Sequence, residues 1–413
     1  MKTSLFKSPQ EFGVHILWLF SSSDDRADCC CVHCSMVPTG RATPSVHDTP
    51  SLPGGQLAAS QPALAPVSSA PIPQATTVPA PIPGLGQSLL YRTGELVWFT
   101  NGPSWRLGLI AQSANGMHQV VPLGHSYFRQ PLVGKNDGEL RPFQAFTVPP
   151  VSIPAFKGCT YDVVGWETVL KNLSPEQAKV HRDSVLLDAS KLAAQKIDMC
   201  YSLFGKLSQK GSDSFYQGVF LGAERIEVGD TLRVIPPTWL TTEGTIYFGL
   251  YEIKSKQSED SPGRAVSFGG MFYELLEGEK AKTTSLPDNA LPRALREESI
   301  WRKSVAPTQP LSWSSPGGST SLEESQIKGR FYPTFLLAPI LDPKKFASVT
   351  TKDDKERLTP AQVTPALNGR LPMTGNAEND GWRLNRMVAA GASIPHDAVF
   401  WFEPQVREEV EAL

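Results

Sequence analysis

Cysteine is scarce outside one short cluster of the sequence. Four of the six cysteines lie at Cys29, Cys30, Cys31 and Cys34, and only Cys159 and Cys200 occur in the rest of the chain. This distribution cannot form the disulfide framework of a small secreted domain. A zinc finger needs a second pair of ligands beyond a folded loop, and that pair is missing. The cysteines therefore indicate a reducing compartment, nucleus or cytosol, and no metal site.

The chain also lacks long hydrophobic runs and a strong net charge. No apolar stretch approaches the roughly 20 residues that cross a bilayer, so we expect no membrane span. The short run at 13–20 (GVHILWLF) is a poor signal peptide, because it contains His15 and no clear small-residue cleavage site follows it. A formal charge of −2 over 413 residues leaves any nucleic-acid contact to a local basic patch.

The common catalytic motifs are absent as well. We find no phosphate-binding loop, no dinucleotide fingerprint, no zinc-protease helix and no nucleophile elbow. The seven histidines show no shared ligand spacing. The sequence thus predicts no catalytic residue and no cofactor. An enzyme of unfamiliar chemistry is the third alternative, and a concave pocket that holds a titratable pair would be its mark.

What the chain does contain divides it into five regions. Residues 1–87 are rich in Pro, Ala, Ser and Thr, and we predict a disordered tail, because such a composition cannot bury enough surface to order itself. Residues 88–172 are predicted to form a small β-barrel that opens with a hairpin. The turn of that hairpin is Asn101-Gly102-Pro103.

A long helix is predicted to connect this barrel to a second β region. The connector spans 173–210, begins at Ser174 with capping-box spacing, and continues through Tyr201 and Phe204 to Gly205 or Gly211. Residues 215–345 are predicted as a β domain with a loose polar insertion at about 280–326 and a return strand at 330–340. Residues 346–413 form a C-terminal extension with a short helix. The predicted fold is therefore mainly β with some α.

Two tryptophans are the candidate aromatic binding surface. Trp98 and Trp105 flank the first hairpin turn, and aromatic rings at the mouth of a barrel can hold a methylated lysine by cation–π attraction. The alternative is that both rings fill the barrel core.

Basic residues of the second β region are the candidate phosphate contacts, which would make the chain a DNA-binding module of modest affinity. Glu224, Arg225 and Asp230 also admit a local structural role, in which Asp230 accepts backbone N–H bonds in the Val-Gly-Asp turn. The candidate phosphate contacts are Arg225, Arg233, Lys254, Lys256 and Arg264.

Two passages carry resemblances to known modules. The passage GELVWFTNGPSWRLGLI (94–110) is similar to the opening hairpin of PWWP and Tudor-type barrels. The passage GVFLGAERIEVGDTLRV (218–234), with the later SFGGMFYEL, resembles the start of a bromo-adjacent homology (BAH) domain. These resemblances imply a fold of small barrels, one SH3- or PWWP-like and one BAH-like, linked by the long helix.

The order of these passages resembles fungal transcription-silencing proteins of the cryptic loci regulator 2 family. The resemblance covers about 90–275, and GAERIEVGD is its most specific part. It implies a nuclear, non-catalytic adaptor of the SHREC complex, with histone deacetylase and remodelling ATPase subunits as partners in heterochromatin. Nucleosomal DNA or histone tails are further implied partners, and binding them outside that complex is the alternative function.

Overall fold

The computed structural model describes residues 84–86, 88–171, 178–257, 264–283, 285–353, 355–370 and 385–411. All of them belong to one compact unit of the chain, Thr77–Leu413. Most of the predicted tail at 1–87, with the cysteine cluster at 29–34, lies outside the described residues. The fold is mostly β with several helices, and its two antiparallel sheets are curled.

The first sheet has five strands in the order β4-β3-β2-β1-β5. Tight hairpins join the first three strands, and glycine supplies the left-handed backbone at their turns, at Gly102 (φ 60°) and Gly116 (φ 71°). The predicted opening hairpin is present, and Trp98 pairs with Leu107 in its register. The strands are β1 Leu96–Asn101, β2 Ser104–Ala114, β3 Met117–Pro122, β4 Val133–Asn136 and β5 Leu140–Pro142.

The second sheet has nine strands, and its main path runs β12-β11-β10-β7-β6. The long strand β10 pairs with β11 along one edge and with both β7 and β9 along the other. The strands are β6 Tyr201–Lys210, β7 Asp213–Leu221, β8 Glu224–Glu227, β9 Thr231–Val234, β10 Thr245–Gln257, β11 Arg264–Glu277, β12 Leu311–Ser314, β13 Ser319–Glu323 and β14 Ile327–Arg330.

Helices pack against strands of both sheets. Within the part of the chain that the structure describes, none is long and apolar enough to span a membrane. The helices are α1 Trp166–Lys171, α2 Ala178–Asp198, α3 Arg293–Val305, α4 Thr334–Leu341, α5 Pro343–Thr351, α6 Pro360–Val363, α7 Arg386–Ala390 and α8 Pro404–Glu411.

The predicted helical connector is too long at its C-terminal end. Helix α2 ends at Asp198, and Tyr201 and Phe204 lie in strand β6. Both residues are buried there, because β6 pairs with β7 along most of its length. Gly205 and Gly211 both adopt positive φ, but neither ends a helix, because Gly205 lies within β6 and Gly211 lies in the β6–β7 turn.

The stretch predicted as a loose polar insertion is ordered and partly buried. It contains α3, β12 and β13, and both Trp301 and Trp313 are buried in it. The charged residues of this stretch suggested a solvent-exposed loop, but some of them form ion pairs inside the protein. Arg302, for example, pairs with Glu298 at 2.6 Å. The return strand predicted at 330–340 is wrong for most of its length, because strand β14 ends at Arg330. Pro333 lacks the N–H that would extend the strand, and helix α4 follows it.

One hydrophobic core joins elements that are distant in the sequence. It contains Leu107 and Leu109 of the first sheet, Leu192 of α2, Phe220 of the second sheet and Phe402 near the C-terminus. A second core lies within the second sheet. Because the first core draws on both sheets, the two sheets are parts of one packed body.

Candidate functional site

Only one of the two predicted cage tryptophans reaches the surface. Trp98 is buried, and its Nε1–H donates to the carbonyl of Phe143 at 2.8 Å. Trp105 is half-buried and packs on Phe146, while the guanidinium of Arg141 lies 4.9 Å from its ring centroid. The cation position over Trp105 is therefore already filled, and a methylated lysine would have to displace Arg141.

Two of the predicted phosphate contacts are engaged inside the protein. Arg225 is buried, forms ion pairs of 2.7 Å with both Glu227 and Glu403, and lies over the ring of Phe204. Arg233 donates to the Arg330 carbonyl at 3.0 Å and to the side chain of Gln144. The structure thus gives both guanidinium groups internal partners.

Two predicted lysines do share an accessible surface. Lys256 and Lys210 both pair with Asp213 across the second sheet, and Lys254 pairs with Phe215 one step along it. Residues that pair directly across strands lie on the same face of a sheet. Lys254 forms an ion pair of 3.6 Å with Asp213. We call Lys210, Lys254 and Lys256 the basic face. Arg264 begins strand β11 opposite Gln257.

Within the described part of the chain, a buried polar network surrounds Arg330 and Glu95. Arg330 Nη2 lies 2.8 Å from Glu95 Oε1, and both side chains are almost fully buried. Arg330 also donates to the carbonyls of Leu89 and Leu90. Burial, the largest single cause, lowers the pKa of Arg330, but Glu95 and the other acidic groups around it together outweigh burial and raise that pKa. The guanidinium therefore stays charged inside the protein.

Glu224 extends this network to the end of the second sheet. Its Oε2 accepts the backbone N–H of Arg330 at 2.7 Å, and its Oε1 accepts the hydroxyl of Tyr332 at 2.8 Å. Burial, the largest of several causes, raises the pKa of the Tyr332 hydroxyl well above its usual value. The hydroxyl therefore remains a donor to Glu224.

A second ion pair ties the segment before β1 to the Val-Gly-Asp turn. Arg92 binds Asp230 through two bonds of 2.6 and 2.7 Å. Asp230 also accepts the backbone N–H of Glu227 at 2.7 Å, so the predicted local role of Asp230 is confirmed. Burial alone would raise the pKa of Asp230, but the charge and hydrogen bonds of Arg92 lower it below its usual range.

Together these contacts form what we call the joint network: Arg92, Glu95, Glu224, Asp230, Arg330 and Tyr332. Every carboxylate in it accepts bonds from surrounding N–H or O–H groups, so each is held in place. The network fixes the first sheet against the second. The signal that could have revealed it is the charge of Glu95 and Glu224 inside otherwise apolar strand passages.

Among the residues that the structure describes, no group of three or more His, Cys, Asp or Glu side chains could hold a metal ion. Asp198 is the carboxyl group with the most raised pKa in this part of the chain, and burial raises it to about 6. It accepts the backbone N–H of Ala223 at 3.0 Å and thereby positions the turn between β7 and β8.

Comparison with known proteins identifies the segment that supplies most of the joint network. Residues 215–333 match the family described as transcription-silencing protein Clr2. Among solved structures, the chain is similar to "Structure of Clr2 bound to the Clr1 C-terminus", with 13% identity and a TM-score of 0.41. That match covers 78% of this chain and 61% of the other, so the chain spans about three fifths of that protein's length. No curated protein matches the chain.

Proposed function

We propose that this chain is a transcription-silencing protein of the Clr2 family that acts as a non-catalytic adaptor in the nucleus. In this role it holds a histone deacetylase and a remodelling ATPase together in heterochromatin. One observation carries the proposal: the segment that matches the family, 215–333, supplies Glu224, Asp230, Arg330 and Tyr332 of the joint network. An adaptor must hold its surfaces at fixed positions, and the joint network provides that rigidity.

We also propose a module type for each of the two sheets. The first sheet is a PWWP- or Tudor-type barrel, supported by the GELVW hairpin and the strand order β4-β3-β2-β1-β5. The second sheet is a BAH-like module, supported by the Val-Gly-Asp turn between β8 and β9. The charged residues of these passages that belong to the joint network, Glu95, Glu224 and Asp230, stabilise the fold, and partner contacts fall to the exposed faces.

Affinity purification from nuclei tests the adaptor role. Tagged wild-type protein is expected to retain a histone deacetylase and a remodelling ATPase at moderate salt. The Glu95→Gln variant is expected to lose both, because the joint network no longer fixes the two sheets. The Glu139→Gln variant removes an acid that is partly exposed to solvent, and it should retain both partners. Recovery of neither enzyme with the wild-type protein would refute the proposal.

A DNA contact is the second candidate function, and the basic face favours it. Lys210, Lys254 and Lys256 lie together around a single acid, Asp213, whereas Arg225 and Arg233 have internal partners. Each lysine that binds a phosphate contributes roughly one unit to the dependence of log affinity on log salt. We expect Lys254→Gln with Lys256→Gln to reduce this slope by about two on duplex DNA. An unchanged slope would exclude the basic face.

A further inference from the structure

A cleft of about 400 Å³ lies between the first sheet and helix α2. Its apolar walls include Phe99 of β1, Leu123 after β3 and Leu186 of α2, all of which are buried residues. This volume falls within the roughly 300–1,000 Å³ of sites that bind small ligands or single peptide side chains. The cleft is separate from both the joint network and the basic face.

Three arginines surround this cleft, which we call the arginine cleft. Arg106 comes from β2, Arg129 from the loop before β4, and Arg182 from α2. Asp183 is the one acidic side chain among the residues that line it. The lining therefore carries an excess of positive charge, although the chain as a whole has a formal charge of −2.

These arginines keep donors available for a ligand, unlike the arginines of the joint network. The backbone of Arg106 pairs with Phe99 in the first hairpin, but its guanidinium has no hydrogen bond or ion pair with any described residue. Arg129 meets Asp397 at 3.3 Å, but the two side chains are 82% and 70% exposed, so solvent screens the pair. Arg182 lies over the ring of Phe128 at 5.3 Å, a contact that leaves its N–H groups unused.

We propose that the arginine cleft binds an acidic peptide segment of a partner protein. An apolar side chain of the peptide packs on Phe99, Leu123 and Leu186, and flanking carboxylates pair with the three arginines. Charge complementarity and the apolar walls together select this occupant. A nucleic-acid backbone is usually bound along an extended positive groove, whereas this cleft is a single pocket of about 400 Å³. The proposal does not depend on the silencing role.

Fluorescence anisotropy with the full chain tests the proposal. The probe is a labelled peptide of about nine residues with a central leucine flanked by aspartates and glutamates. We expect saturable binding that weakens at least about tenfold when Arg106→Gln and Arg182→Gln are combined, because two charge-assisted bonds are lost. Replacing the central leucine of the peptide by serine should also weaken binding, since the apolar walls lose their partner.

The matched control removes two positive charges elsewhere, by Lys210→Gln with Lys256→Gln on the basic face. It should change peptide affinity less than about twofold, and thermal melting should show that both double variants remain folded. Absence of saturable binding overturns the proposal, as does an equal loss in the two double variants. If duplex DNA binds and the arginine variant weakens it while the peptide fails to bind, the cleft is a phosphate site.

Discussion

Arg330 and Glu95 form an ion pair that solvent does not reach. Each is almost fully buried, and the pair is surrounded by backbone carbonyls and by the backbone N–H of Arg225. A buried charge that loses its partner retains the cost of leaving water without the attraction that offset it. The stability of the protein therefore depends on both residues being present.

The first prediction concerns Glu95→Gln. The substitution keeps the shape of the side chain but leaves Arg330 without its buried counter-charge, so the free energy of unfolding should fall by about 3–5 kcal/mol. Glu139→Gln is the control, since Glu139 pairs with Lys135 near solvent and should change stability by less than about 1 kcal/mol. Chemical denaturation measures both. Similar small changes in the two variants would contradict the prediction.

The second prediction concerns the pH dependence of stability at Asp198. Its pKa rises from 3.8 to about 6 on folding, so the folded protein binds this proton more tightly than the unfolded chain. The stabilising contribution is complete below about pH 4 and is lost as the pH rises through about 6. Because Asp198 is partly exposed as a residue, solvent reduces the effect to about 1–2 kcal/mol.

Comparison with Asp198→Asn isolates this contribution. Asparagine keeps an oxygen for the N–H of Ala223 and cannot ionise, so the variant should gain stability relative to wild type as the pH rises from about 4 to about 6. Denaturant unfolding at a series of pH values measures the difference. Parallel stability curves for the two proteins would show that Asp198 ionises with the same pKa in both states.

For single residues, the sequence predicted only those roles that depend on residues a few positions away. The bond from Glu227 to Asp230 spans three residues, and the Val-Gly-Asp turn indicated it. Glu95 and Arg330 are 235 residues apart, and no spacing pattern in the sequence predicts a contact across such a separation. Arg225 was expected to contact phosphate, because a sequence shows charge but does not show Glu227 and Glu403 beside it.

Among the elements, α3 shows how a polar sequence can form buried structure. Glu298 accepts from Arg302 and from both the N–H and the hydroxyl of Thr334. These bonds connect α3 to the first residue of α4. Trp301, next to Arg302, stacks on Phe346 at a centroid distance of 5.9 Å. The hydrogen bonds of Glu298 and the packing of Trp301 on Phe346 therefore stabilise α3.

The third prediction follows from the position of Trp301. Trp301→Ala removes a fully enclosed ring, so the free energy of unfolding should fall by about 3–5 kcal/mol and amide exchange in α3 should accelerate. Trp239→Ala is the matched control, because Trp239 is 60% exposed and should cost less than about 1 kcal/mol. A loss of unfolding free energy below about 1 kcal/mol in both variants would mean that Trp301 contributes little to the fold.

Elements bounded by turn residues were predicted best. Asn101-Gly102-Pro103 placed the first hairpin correctly, because the turn chemistry is local. The helix after Ser174 was extended too far because Tyr201 and Phe204 fit helical spacing as well as a buried strand. Tyr201 and Phe204 lie in a strand because β6 pairs with β7, and this pairing depends on residues farther along the chain.

At the scale of the whole described fold, the two sheets form one packed unit, because both the first core and the joint network cross between them. The predicted boundary at 215 falls inside β7, after all of β6. A fragment cut there loses the strand that pairs with β7, and its Arg330 loses Glu95. We therefore expect that a fragment cut at 215 is not stable by itself.

The fourth prediction compares two fragments by thermal unfolding. Residues 84–413 should unfold in one cooperative transition, because both sheets share a core. Residues 215–345 should show no cooperative transition and poor dispersion of amide signals by NMR, since an unpaired edge and an unpaired buried arginine remain. A sharp transition in the shorter fragment would show that the second sheet folds independently.

The span of 235 residues between Glu95 and Arg330 also affects how the chain folds during synthesis. Strand β1 leaves the ribosome long before Arg330 is made. Glu95 therefore has no buried counter-charge while the 235 residues up to Arg330 are translated. Contacts of such high sequence separation form slowly and leave apolar surface exposed in the meantime. A nascent chain that stalls before Arg330 can therefore form the strands of its first sheet but cannot fix that sheet against the second, because Glu95 still lacks its buried partner.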